Sequence, residues 1–207
     1  MANNSLEATI YGVMGSTGSG KSAWVKQNLL LKSLNRVAIW DFKREYGVEY
    51  ADLVTENLGQ AIRAMARKNF RVSFRPSFNR KTRVAQFNVW CKAVWQAKNT
   101  FALVEELAMV TTAQHAPEGW QQLTCTGRSE GITIVGLSQR PAQVDKDFFD
   151  NCTELHCGYL SGKNSRSVMA DELGVTEQEI KDLRPLEYIH KMLRTKEISY
   201  GKVKKTW

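Results

Sequence analysis

Between Asn57 and Val104 the chain has no aspartate or glutamate, yet this stretch holds Arg63, Arg67, Lys68, Arg71, Arg75, Arg80, Lys81, Arg83, Lys92 and Lys98. The whole chain carries +8, so the ten charges of this segment leave 8 − 10 = −2 for the remainder. Two readings fit such a block. It is a surface for phosphate backbones, where each cation releases a condensed counterion, or a solvated face whose counter-charges lie elsewhere in the fold.

Other absences narrow the class. No apolar run longer than Ile132 to Leu137 stands out, and a membrane span needs about 20 such residues. Met1 to Glu7 lacks a basic region followed by an apolar stretch, so a secretory leader is not signalled and a cytosolic compartment is expected. Cys91, Cys125, Cys152 and Cys157 form no CxxC pair and have no histidine at ligand spacing, so a structural zinc is not supported and reduced, partly buried thiols are expected. Internal repeats and low-complexity segments are missing. With 43% hydrophobic and 24% charged residues the composition is that of an ordinary folded domain, and 207 residues suffice for one α/β domain rather than two. We therefore expect a single domain over residues 1–207, with a nucleotide-binding core at 8–160 and C-terminal helices and a hairpin at 161–207.

What is present alternates strand with helix. Ala8 to Met14, Val37 to Asp41, Arg71 to Arg75, Phe101 to Val104, Ile132 to Leu137 and Glu154 to Tyr159 read as strands. Helices are expected at Ser22 to Leu34, from the N-cap Asn57 to about Lys68, at Lys81 to Lys98, at Pro117 to Gly131 and at Ser165 to Leu173, and a further one opens at the capping box Thr176-x-x-Glu179. Tyr188 to Leu193 and Ile198 to Lys202 read as a closing β-hairpin. The alternation predicts a mostly parallel sheet flanked by helices. Trp90 and Trp95 stand at helical spacing and read as core.

Gly15-Ser16-Thr17-Gly18-Ser19-Gly20-Lys21-Ser22 follows the first strand and opens the first helix. The glycines let the backbone curl and aim N–H groups at phosphate oxygens, Lys21 reaches the β- and γ-phosphates, and the Ser22 hydroxyl suits Mg²⁺. Hydrolysis needs acids at a neighbouring strand end, which Glu105 and Glu106 supply after Phe101 to Val104. Glu105 falls at the Mg²⁺ position, where Asp is usual, and Glu106 at that of the water-activating base. Gln139, after the next strand, is placed to sense the γ-phosphate. Arg128 is a candidate arginine finger toward a neighbouring subunit, with an ordinary surface arginine as the competing reading. No Asn-Lys-x-Asp guanine signature appears, so ATP is favoured over GTP.

Four stations in this order resemble the FtsK–HerA superfamily of ring-forming, DNA-translocating ATPases. They are Gly15 to Ser22; Asp41-Phe-Lys-Arg-Glu45-Tyr46, which is similar to Asp-Pro-x-Gly-Glu-Tyr of HerA; Val104-Glu105-Glu106; and Gly127-Arg128 leading to Ser138-Gln139-Arg140-Pro141. The chain departs from the pattern at Glu105 and at Phe42-Lys43-Arg44. The resemblance implies a RecA-like P-loop domain in a homo-oligomeric ring, often a hexamer. It adds Asp41 to the nucleotide set, puts Arg128 in trans, and runs double-stranded DNA through the channel. Arg71, Arg75, Arg80, Lys81 and Arg83 become candidates for the DNA path. Among such ATPases, chains this short are most like those that package the genomes of tailless internal-membrane viruses. That implies capsid or packaging-vertex partners, with the protein in the host cytoplasm or at the virion's packaging vertex. A Zot-like phage assembly ATPase, a small P-loop nucleotide kinase and a non-hydrolysing DNA-binding module are the alternatives.

Overall fold

The structure is a computed structural model and describes residues 8–204, so Met1 to Glu7, read above for a leader, lie outside it. Its strands are β1 (Ile10–Met14), β2 (Arg36–Trp40), β3 (Leu53–Thr55), β4 (Phe70–Phe74), β5 (Phe101–Val104), β6 (Thr133–Ser138), β7 (Glu154–Gly158), β8 (Glu187–Met192) and β9 (Glu197–Lys202). They form one sheet in the order β3-β4-β2-β5-β6-β1-β7-β8-β9. Pairing is parallel from β3 through β7, and the hairpin β8–β9 adds antiparallel to β7.

Alternation along the buried strands divides the core between the two faces. On β2, Ala38 and Trp40 join one cluster while Val37 and Ile39 join the other; on β5, Ala102 and Val104 separate from Phe101 and Leu103 in the same way. The first cluster is covered by α2 (Leu58–Met65), α3 (Arg80–Ala97), α4 (Glu118–Thr126), α5 (Lys146–Asn151), α6 (Lys163–Leu173) and α7 (Glu177–Asp182). The second lies under α1 (Lys21–Asn28), with Trp24 and Val25 packed on Val13, Leu103 and Val135. Trp90 is wholly buried against Trp40 and Phe87, and Trp95 is half-buried with its indole N–H donating to Thr126. Both tryptophans are core, as their spacing predicts.

Local signals held where they were complete. Asn57 caps α2 through Gln60 N–H, and Thr176 and Glu179 form the reciprocal capping box of α7. Three helices are shorter than their sequence spans, α2 by about three residues and two others by more. α1 stops at Asn28, and the Arg71 guanidinium from β4 takes the carbonyls of Leu31 and Leu34 beyond it. α4 stops at Thr126 and continues as a 3-10 turn, Gly127–Glu130. The edge strand β3 and the helix α5 have no counterpart in the sequence reading.

Candidate functional site

Five loops leave the carboxyl edge of the parallel strands side by side. The phosphate loop follows β1, Asp41 to Tyr46 follow β2, Glu105 and Glu106 follow β5, Gln139 follows β6, and Tyr159 to Ser161 follow β7. Neighbours hold the phosphate loop in shape: Gly15 N–H donates to the Ser138 carbonyl (3.2 Å) and Ser16 N–H to that of Tyr159 (2.8 Å). Ser16 Oγ accepts from Ser161 N–H (3.0 Å), and Thr17 donates to the Gln139 side chain (3.1 Å). Gly18 (φ 78°) and Gly20 (φ 95°) take the left-handed backbone that side chains resist, and a Cβ on Gly20 would come within 3.0 Å of Leu186. The curl thus needs its glycines.

Lys21 is 6% exposed and donates to the Ser16 carbonyl (3.1 Å). Burial, reinforced by the Lys43 ammonium and opposed by Glu106, Glu45 and Glu105, lowers its pKa to about 8. A cation held in so little water is poised for an anion. Ser19 is buried as well, and its hydroxyl has no hydrogen-bond partner.

Glu106 sits in left-handed backbone (φ 56°, ψ 67°), a conformation that costs a non-glycine residue about 1–3 kcal/mol and collects at functional sites. Its Oε1 accepts from Ser138 Oγ (3.0 Å) and Gln139 N–H (2.9 Å), and its Oε2 meets Lys43 Nζ at 2.9 Å. Glu105 is 1% exposed. Its Oε2 accepts from Lys43 N–H (2.8 Å), but its Oε1 accepts no hydrogen bond. Burial, then the nearby Glu45, push its pKa up to about 8 against the pull of Lys43. The free carboxyl oxygen of Glu105 and the half-buried Ser22 hydroxyl are hard oxygen donors of the kind Mg²⁺ takes, one or two from the protein and the rest from phosphate and water. A cation there would also ionise Glu105, so the residues fit the ion.

Four of the candidates read from the sequence are engaged within the chain. Asp41 is wholly buried and spends its oxygens inward, accepting from Glu45 N–H (2.8 Å), Tyr46 N–H (3.2 Å) and Ser73 Oγ (3.2 Å), with Arg75 Nε at 3.7 Å. Its oxygens shape the loop, and Arg75, with its side chain 28% exposed, stands beside it. Arg71 donates to the carbonyls of Tyr50, Leu31 and Leu34, and Arg83, 5% exposed, to those of Met109, Ser77 and Phe78. Both guanidiniums are committed to carbonyls. Of the five DNA candidates, Arg80 and Lys81 are the exposed ones. Arg80 lines a cleft of about 560 Å³ together with Arg140, Gln114 and Gln143, and none of its lining residues among the described ones is acidic.

Arg128 is exposed at the opposite, amino edge of the sheet, where its Nε donates to the Ala8 carbonyl (3.1 Å). It borders a cavity of about 920 Å³ with Asn99 and Asn151, remote from its own phosphate loop. It does not stand at the phosphate loop of its own chain. Lys43 is the residue that sequence reasoning missed. Its one signal was the departure from the Pro-x-Gly pattern, and that departure also has a backbone side: Arg44, where the pattern has Gly, keeps the left-handed turn (φ 63°).

No family model matches the chain. It is similar to Protein P9 of Pseudoalteromonas phage PM2, 29% identical over 175 residues that span 83% of this chain and 78% of that protein. Among solved structures it resembles the genome packaging NTPase B204 of Sulfolobus turreted icosahedral virus 2 in complex with AMPPCP, with a TM-score of 0.72 at 14% identity, covering 95% of this chain and 98% of that one. The N-terminal domain of zonular occludens toxin from Neisseria meningitidis is also similar, with a TM-score of 0.53 at 14% identity and 96% of each chain covered. The chain has the P-loop NTPase fold of the viral genome packaging NTPase, the fold that the resemblance read from its sequence implies.

Proposed function

We propose that the chain is a viral genome-packaging ATPase that couples ATP hydrolysis to pumping double-stranded DNA into a preformed capsid. The observation that carries this is the convergence of Lys21, Glu106 and Gln139 on one phosphate loop, with Glu106 held by two hydrogen bonds and the Lys43 ion pair in strained backbone. A kinase needs a pocket for an acceptor; an acid beside the phosphate loop suits the activation of water instead. The water oxygen bonds to the γ-phosphorus, the bond to the β–γ bridging oxygen breaks, and the water's proton passes to Glu106. Lys21 meets the charge on the β- and γ-oxygens, and Gln139, tied to Thr17, registers whether the γ-phosphate is present. Mg²⁺ held by Ser22 and Glu105 would supply further charge neutralisation at those oxygens.

The acid-free cleft of Arg80 and Arg140 supports a DNA path, since cations without acidic neighbours attract phosphates of any sequence. It adjoins the turn after Glu106 and the residue after Gln139, so a strand bound there is coupled to the catalytic loops. A homo-oligomeric ring, Arg128 acting in trans, packaging-vertex partners and a place in the host cytoplasm or at the virion vertex complete the reading. Among the described residues no helix is long and apolar enough to cross a membrane. ATP turnover measured against duplex DNA tests the coupling. Stimulation should appear at low salt and fall steeply as salt rises, and turnover indifferent to DNA would sink it.

A further inference from the structure

Glu106 is held from three directions, and the third comes from a loop that the sequence pattern does not single out. Lys43 lies three residues past β2. Its main-chain N–H donates to Glu105 (2.8 Å), while its ammonium stands 2.9 Å from Glu106 Oε2 and 3.9 Å from Glu105 Oε1. One residue therefore touches both acids, by main chain and by side chain.

Its position is enforced. Asp41 grips the N–H groups of Glu45 and Tyr46, and Arg44 turns through left-handed backbone, so the chain at Lys43 is fixed from both sides. The carboxylates are almost fully buried while the Lys43 side chain is 26% exposed, which seats the ammonium at the mouth of a low-dielectric acid pair. An exposed ion pair contributes little, but a charge facing a buried carboxylate interacts more strongly.

The lone pairs decide what this does. A carboxylate oxygen accepts about two hydrogen bonds. Oε1 of Glu106 already has two donors, Ser138 and Gln139. Oε2 faces the Lys43 ammonium in an ion pair at 2.9 Å and keeps an open acceptor position. We propose that Lys43 is a positioning residue for hydrolysis, fixing the Glu106 carboxylate so that the open lone pair of Oε2 faces the attacking water. The inference rests on Glu106 being the base. Lys43 takes no proton itself: the water's proton goes to Oε2 as its oxygen bonds to phosphorus and the bridging oxygen leaves.

The test separates turnover from binding. Lys43→Met should lower kcat for ATP by about 10- to 100-fold, the scale of a misplaced catalytic group, while AMPPCP affinity stays within about threefold and the melting temperature holds. Lys43→Arg, which keeps a cation, should recover part of the lost kcat. Unchanged kcat in Lys43→Met, a parallel loss of kcat and AMPPCP affinity, or an Arg variant no better than Met would each overturn the inference. Glu106→Gln is the control. If it is dead while Lys43→Met is intact, the positioning role alone fails; if it turns over normally, the assignment of the base fails first.

Discussion

Magnesium–ATP binding should release close to one proton at pH 6 and none at pH 8. In the nucleotide-free chain, burial and Glu45 hold Glu105 at a pKa of about 8, so at pH 6 the group is almost wholly protonated. Serving Mg²⁺ requires the carboxylate, and the proton must leave. Lys21, also near 8, acts in the opposite direction, because phosphate restores the proton that burial weakens. Summing the two fractional occupancies gives a net release of about 1 proton at pH 6, about 0.8 at pH 7 and about 0 at pH 8. Titration calorimetry with preformed magnesium–ATP, in two buffers of different ionisation enthalpy, reads this number directly. Glu105→Gln should abolish the release at pH 6 and turn pH 8 into an uptake of about half a proton. Buffer-independent heats at pH 6, or a release that survives Glu105→Gln, would refute the reasoning. The same raised pKa has a stability consequence. The folded chain holds a proton that the unfolded chain has given up, so the nucleotide-free protein should lose stability as pH climbs from about 4.5 to about 8.

Arg128→Ala and Glu106→Gln subunits, each inactive alone, should recover part of their ATP turnover when mixed, because an intact finger then faces an intact base; no recovery at any ratio would argue against action in trans. Arg36, half-buried, donates to the carbonyls of Arg67 and Lys68 beyond α2 and to those of Ala97 and Lys98 at the end of α3. Arg36→Met should therefore cost about 2–3 kcal/mol in denaturant unfolding, the scale of losing a charged donor, and a loss below about 0.5 kcal/mol would show that water replaces it.

The parts of this molecule written in short, local patterns were legible. The phosphate loop, the caps at Asn57 and Thr176, the buried strands and the closing hairpin each depend on residues close in sequence. The truncation of α1 was not, because the Arg71 that takes its freed carbonyls is about forty residues away on β4. Charge counting failed for a related reason. It found the basic block but could not tell Arg71 and Arg83, which satisfy carbonyls, from Arg80 and Lys81, which face solvent. Lys43 was hidden similarly: its place between two acids exists only once β2 and β5 lie side by side. The site's skeleton could be read from order along the chain, but the electrostatics inside it could not.

Translocation itself is the most direct test. In a triplex-displacement assay on linear duplex DNA, the wild-type protein should strip the third strand at a rate that depends on ATP and vanishes in Lys21→Ala. ATP hydrolysis with no displacement, at any protein concentration that saturates the DNA, would contradict a genome-pumping motor.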